Sequence, residues 1–253
     1  MSLRKRVNKS IAIALVGITA VIPMMNSVSA MENNNIEYLQ NDRNDEENKN
    51  IIIEKGGVLT DDDFSEIYII YEENLRKGIE MKDEDIRELL VEKIINKVNS
   101  PVTYGYSIFG RNITKEELIL VAKYPSDATK VFNNSKTASS EAERLYVKST
   151  LYLGNGDAFR HAYWNALNVK SVGVTKARDF ANAHESETKD GNDKTMDLRN
   201  NVLGRNIAKS NINSSISTIK NKIISDINKG RMHRLYNGKI EGKLISTDSS
   251  GRR

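Results

Sequence analysis

The stretch from Gly154 to Asn168 constrains the fold more than any other part of the chain. It reads Gly-Asn-Gly-Asp-Ala-Phe-Arg-His-Ala-Tyr-Trp-Asn-Ala-Leu-Asn. At about 100° per residue in a helix, Asp157, Arg160, His161, Trp164, Asn165 and Asn168 share one arc of about 140°. Ala158, Phe159, Ala162, Tyr163, Ala166 and Leu167 fill the opposite arc. A surface helix sets an apolar stripe against a face of solvated Lys and Glu. Here the second face carries groups that are costly to bury unless paired, so it calls for polar partners on a neighbouring helix.

Two neighbouring segments supply them. A helix over 175–187 puts His184 in line with Ala177, Phe180 and Ala181, so His184 points inward. Glu185 is turned away from it by about 100°, and His-Glu is therefore not a pair of ligands on one face. A helix over 195–209 aligns Asp197, Asn201, Gly204 and Ala208, bordered by Asn200 and the core stripe Met196, Leu203 and Ile207. Gly204 and Ala208 allow a close crossing, and its expected partner is the polar face of the 157–170 helix. The candidate catalytic residues are then Asp157, Arg160, His161, Asn165, His184, Asp197 and Asn201. Asp157 and His161, four residues apart, can touch along the helix, and the carboxylate can orient the imidazole for proton transfer or for metal binding. The only other histidine, His233, reads as a surface residue.

The rest of the chain is patterned as helices too. Thr60 with Asp63, and Thr114 with Glu117, have capping-box spacing. Helical stripes run through Phe64, Ile67, Ile70 and Tyr71, and through Ile86, Leu89, Leu90, Ile94 and Val98. Further helices are expected at 115–123, 127–134, 140–150 and 213–229, with breaks at Pro125 and Asn133-Asn134 and a stop at Gly230. Residues 232–246 read as a small hairpin around Asn237-Gly238. The expected fold is mainly α: a multi-helix C-terminal domain with a terminal β-hairpin, preceded by a short acidic helical segment.

The first thirty residues have a different pattern. A basic start, an apolar run over 11–25 and the small residues Val28 and Ala30 mark a secretory signal cleaved near Ala30. The run is shorter than the roughly 20 apolar residues of a membrane span, so the mature chain is expected to be extracellular without a transmembrane anchor. Residues 31–57 are Asn-rich and acidic and read as a disordered leader. Residues 58–100 form the N-terminal helical segment, and 101–253 the C-terminal domain, divided near Pro101.

Charge splits at the same place, with 19 acids against 9 bases over 31–98 and 15 against 25 over 99–253. Intramolecular docking of the acidic segment on the basic domain is one consequence; two independently solvated surfaces is the other. The bases are scattered with no aromatic-interleaved patch, so no nucleic-acid partner is expected. Zero cysteines exclude disulfides, thiol catalysis and a Cys-ligated zinc site. No Walker loop, His-Glu-x-x-His motif or Gly-x-Ser-x-Gly elbow occurs.

Asp-x-x-Arg-His-x-x-Trp-Asn at 157–165, His184-Glu185 and Met196-Asp197-Leu198-x-Asn200-Asn201 with Gly204-Arg205 together resemble an uncharacterised bacterial domain family. That family occurs in secreted proteins and at the C-termini of polymorphic toxins, and the resemblance covers roughly 115–245. Toxin association implies a hydrolytic effector in some members, an analogy of context with no settled activity behind it. Two His, two Asp and an Arg suit phosphoester hydrolysis by acid/base chemistry or with a divalent metal as cofactor. The alternative is a non-catalytic secreted binding or assembly module whose polar cluster only fixes helix register.

Overall fold

A computed structural model describes residues 44–99 and 113–253. The expected signal at 1–30, the leader up to residue 43 and the connector around Pro101 lie outside the described residues. Among the described residues the chain is mainly helical, with one two-stranded antiparallel sheet near its C-terminus.

Residues 44–55 are helical (α1) and run into a 3-10 turn at Gly56–Val58. This part of the expected leader is ordered, and Ile52 is fully buried. The three isoleucines at 51–53 supply an apolar edge that the Asn- and Glu-rich surroundings conceal, and burying one such side chain contributes about 1.5–3 kcal/mol. Two helices follow, α2 (Asp61–Arg76) and α3 (Asp83–Val98), the first opened by the Thr60/Asp63 capping box. Buried Arg87 of α3 pairs with Asp45 of α1 and donates to the Ala122 carbonyl at 3.0 Å, so one side chain holds the start of the described chain against its middle.

In the second half, α4 (Lys115–Lys123) begins at the Thr114/Glu117 capping box, and α5 (Pro125–Leu145) has Pro125 in its first turn. The break expected at Asn133-Asn134 does not occur. Asn134 donates to Asn168 Oδ1 and Ser171 Oγ, both at 2.9 Å, so its side chain bonds across to the next helix instead of competing with its own backbone. That helix, α6 (Asn155–His184), is two limbs joined at Gly173, whose φ of 83° and ψ of 166° lie outside helical space. The two expected helices thus stand on either side of a kink that glycine adopts without penalty. After it come α7 (Asn192–Ser210) and α8 (Ile216–Asn228), and α8 ends before Gly230 at φ 71°.

Strands β1 (His233–Leu235) and β2 (Leu244–Ser246) pair with Leu235 opposite Leu244. Asn237 and Gly238 do take positive φ, 55° and 61°, but the turn is longer than a two-residue loop. The strands are linked by residues 236–243, which include a 3-10 turn and a bond from Gly242 N to Lys239 O at 2.8 Å.

One apolar core runs through both halves. Phe64 of α2 stacks on Phe132 of α5 with ring centroids 4.0 Å apart. The ion pair between Asp62 and Lys136, at 2.8 Å, lies on the exposed rim of this contact, where such a pair contributes at most about 1 kcal/mol. Apolar burial therefore does more than charge complementarity to seat the acidic segment. Both arcs of the first α6 limb are buried, with Ala158, Phe159, Ala162 and Ala166 on one side and His161, Asn165 and Asn168 on the other. At the α6–α7 crossing, a Cβ on Gly204 would come 2.1 Å from the Ala162 carbonyl oxygen, so only glycine permits this separation. No helix among the described residues is long and apolar enough to cross a membrane.

Candidate functional site

The crossing at Gly204 brings the polar arc of α6 against the Asp197–Asn201 side of α7. Asp157 sits in the first turn of α6, where its Oδ2 accepts from the backbone N–H of Leu153 at 2.6 Å. Leu153 holds φ 57°, and this bond fixes the tight entry into the helix. The other oxygen, Oδ1, accepts from Arg160 Nη2, one helical turn on. Arg160 therefore pairs with Asp157.

His161 is 3% exposed and stands between the two carboxylates. Its Nε2 is 3.4 Å from Asp157 Oδ1 and 3.3 Å from Asp197 Oδ1. Arg160 Nη2 lies 3.3 Å from the same nitrogen, and Nδ1 faces Asn201 Oδ1 at 3.3 Å. Because an amide oxygen only accepts, Nδ1 carries the proton and the Nε2 lone pair is directed at the two aspartates. Burial, then the Arg160 charge, push the imidazole pKa down to about 3 against a smaller upward pull from Asp157. His161 is neutral at neutral pH.

The two aspartates differ. Burial opposes ionisation of Asp157, but Arg160 and His161 outweigh it and hold its carboxyl below the usual range. Burial pushes Asp197 well above that range, and the charges of Asp157 and Glu185 push the same way. Its Oδ1 is buried and has no hydrogen-bond partner. Asp157, His161 and Asp197 each offer one donor atom, and these atoms lie within 4.8 Å of one another, a separation at which one metal ion can take all three.

Behind this group lies an amide and guanidinium network in which Asn201 Nδ2 alone is buried without a hydrogen-bond partner among the described residues. Asn165 Nδ2 donates to Asn201 Oδ1 at 2.7 Å and to the His161 carbonyl at 3.0 Å, and Asn165 Oδ1 accepts from Arg205 Nη1 at 2.6 Å. Asn200 pins the hairpin, donating to the His233 carbonyl at 2.9 Å and accepting from its N–H at 3.0 Å. His233 is accordingly half-buried, not a free surface residue.

His184 is buried, as its place on the apolar stripe predicts, and its ring centroid is 6.4 Å from that of His161. Its Nδ1, however, lies 2.8 Å from Glu117 Oε1, and Trp164 meets it edge-on at 5.2 Å. It belongs to a neighbouring pair instead of the aspartate group. Glu117 is reached through α4, where its other oxygen accepts from Thr114 N at 2.8 Å in the capping box. Sequence reasoning recognised that cap, but a local cap gives no sign of a second bond 67 residues away.

His184 and Glu185 do not share the donor group, but Glu185 is buried too. α6 ends at His184, Glu185 is its C-cap, and the 100° rule no longer applies there. The side chain is 3% exposed; Oε2 accepts from Thr188 Oγ1 at 3.2 Å, and buried Oε1 has no hydrogen-bond partner.

The fold and the site define a helical domain with a carboxylate–imidazole cluster buried between two closely crossed helices. Residues 118–231, which contain every residue of that cluster, match the model of a domain family of unknown function (DUF6973). No curated protein and no solved structure matches the chain.

Proposed function

We propose that the chain is an exported hydrolase that cleaves phosphoesters with a divalent cation held by Asp157, His161 and Asp197. The observation that carries this reading is charge balance in a buried site. Asp157, Asp197 and Glu185 bring three carboxyl groups, Arg160 answers one, and the imidazole is neutral. Buried charge without a partner costs several kcal/mol, and a divalent cation offsets the remainder. The spacing is compatible: 3.3 and 3.4 Å between donor atoms is close to the ~3 Å edge of an octahedron with bonds of about 2.1 Å.

Arg160 gives the substrate class. Its guanidinium bridges Asp157 Oδ1 and His161 Nε2, the atoms that would ligate the cation. A cation binding there takes over both, with Arg160 beside it and 14% of the Arg160 side chain exposed. A cation beside a planar, bidentate donor suits a phosphate oxygen that gains charge as the ester breaks. The cation also lowers the pKa of a bound water. Export rests on the basic, apolar and small-residue order of residues 1–30.

A second reading, the non-catalytic module, is favoured by one observation: Arg160 and the Asn165, Asn201 and Arg205 bonds can lock the helices without a metal. One experiment separates the two. Protein recovered outside the cells, with its N-terminus at or near Met31, is assayed without chelator for bound metal and for hydrolysis of bis(4-nitrophenyl) phosphate. The hydrolase reading expects one metal equivalent and turnover, both lost in His161→Ala and Asp197→Asn. Metal-free, inactive wild-type protein establishes the second reading instead.

A further inference from the structure

Glu185 has no part in the three-residue donor group, yet it is among the most deeply buried carboxylates of the molecule. Its Oε1 lacks a hydrogen-bond donor, and no ion pair answers its charge among the described residues. The nearby ammonium of Lys194 is engaged elsewhere, by the Thr188 carbonyl and by Asp190, both at 3.0 Å. Glu185 caps the end of α6, and its charge acts on Asp197. A buried carboxylate oxygen in this position needs an O–H or N–H pointed at it, and the described residues supply none. Water bound to a cation at Asp197 would supply such an O–H.

We infer that Glu185 is the general base of the reaction, holding the cation-bound water through Oε1 and taking its proton as the water attacks phosphorus. This rests on the cation reading above. In the step, the water O–H breaks and its proton passes to Glu185 as the oxygen bonds to phosphorus. The bond from phosphorus to the leaving oxygen breaks with its electron pair, and that oxygen takes a proton from solvent. Glu185 then returns its own proton to solvent, so the net change is addition of one water across one ester bond. The bond from Thr188 to Oε2 leaves Oε1 to face the water and fixes the carboxylate's orientation. A carboxylate that accepts from metal-bound water, and does not ligate the metal itself, is consistent with its place outside the donor group.

The test compares wild type with Glu185→Gln, both loaded with Mn2+. Glutamine preserves the side chain's shape and can still accept from Thr188, but it cannot accept a proton. Mn2+ stoichiometry and the KM for bis(4-nitrophenyl) phosphate are expected to be unchanged, with kcat falling by about 10²–10⁴-fold. As a readout independent of turnover, the exchange rate of Mn2+-bound water, measured by 17O relaxation, is expected to rise several-fold when its carboxylate acceptor is lost. Loss of Mn2+ from Glu185→Gln would make Glu185 a direct ligand and overturn the inference. Unchanged kcat and water exchange in a variant that keeps its metal would overturn it while leaving the cation reading intact. Wild-type protein that binds no Mn2+ would remove the cation reading and the inference with it.

Discussion

The contact between α6 and α7 has two ends that are built from similar residue types and differ in completeness. At the Asn165 end, amide, carbonyl and guanidinium groups answer one another at 2.6–3.0 Å, Asn165 and Asn201 are fully buried, and the group left open is a neutral amide, Asn201 Nδ2. At the Asp157 end, only one of two aspartates has a cation, the imidazole lone pair faces both, and buried oxygens of Asp197 and Glu185 have no donor. An unanswered buried amide N–H costs about 1–3 kcal/mol and an unanswered carboxylate oxygen more, so the two ends differ in the cost of what they leave open. The amide end specifies the crossing, and the carboxylate end is where a ligand can contribute binding energy.

If that contrast holds, the largest stability effect should come from breaking the one finished ion pair at the open end. In metal-free protein, Asp157→Ala removes the partner of Arg160 and the acceptor for Leu153 N, and a loss of about 3–5 kcal/mol is expected in urea unfolding. Asp197→Ala, by contrast, should cost much less, since Arg160 keeps its pair with Asp157 in that variant. Comparable losses for the two variants would erase the distinction between the aspartates.

The next effect tests the finished end. Arg205→Met preserves much of the length of a side chain that is 8% exposed but removes the donor to Asn165 Oδ1. A loss of about 1–3 kcal/mol is expected, with bound metal unchanged from wild type. A metal loss as large as that of Asp197→Asn would show that the two ends function as one network.

How far this contrast was legible in the sequence depended on the range of each interaction. The face holding Asp157, His161 and Asn165, the inward turn of His184 and the close crossing at Gly204 follow from helical rotation and residue size, which are local properties. The capping boxes at Thr60 and Thr114 are local as well, and both form. Glu185 and Glu117 were not legible as site neighbours. One lies just beyond a helix end, where rotation no longer predicts direction, and the other arrives from a helix distant in sequence. Residues 44–55 and α5 failed for a compositional reason, since Asn-rich stretches were read as breaks although Ile52 and Asn134 find partners elsewhere in the fold. Which carboxylate Arg160 chooses is also outside what periodicity can tell, because Asp157 and Asp197 both lie on facing arcs.

The smallest effect is a slope, and it isolates Asp197. Its folded-state pKa is raised, so the stability associated with its protonated form is fully present below the unfolded-state value near 4 and is lost as pH rises through the folded value. Asp61, raised to about 7 chiefly by burial, adds a decline of the same sign. His161 has the opposite sign: its folded pKa is depressed to about 3, so its contribution is present above about 6.5 and is lost as pH falls towards 3. Wild-type stability alone therefore mixes several groups, Asp157 and Glu141 among them, whereas the difference between metal-free wild type and Asp197→Asn chiefly reports the carboxyl that asparagine cannot ionise. Above pH 4 the wild type is expected to fall relative to the variant, by at most about 1.4 kcal/mol per pH unit for one proton. Saturating Mn2+ should abolish or reverse that relative fall, because the cation favours the ionised carboxylate. Parallel curves for the two metal-free proteins would mean that Asp197 is already answered in the folded protein, and the open end of the contact would then be no more open than the other.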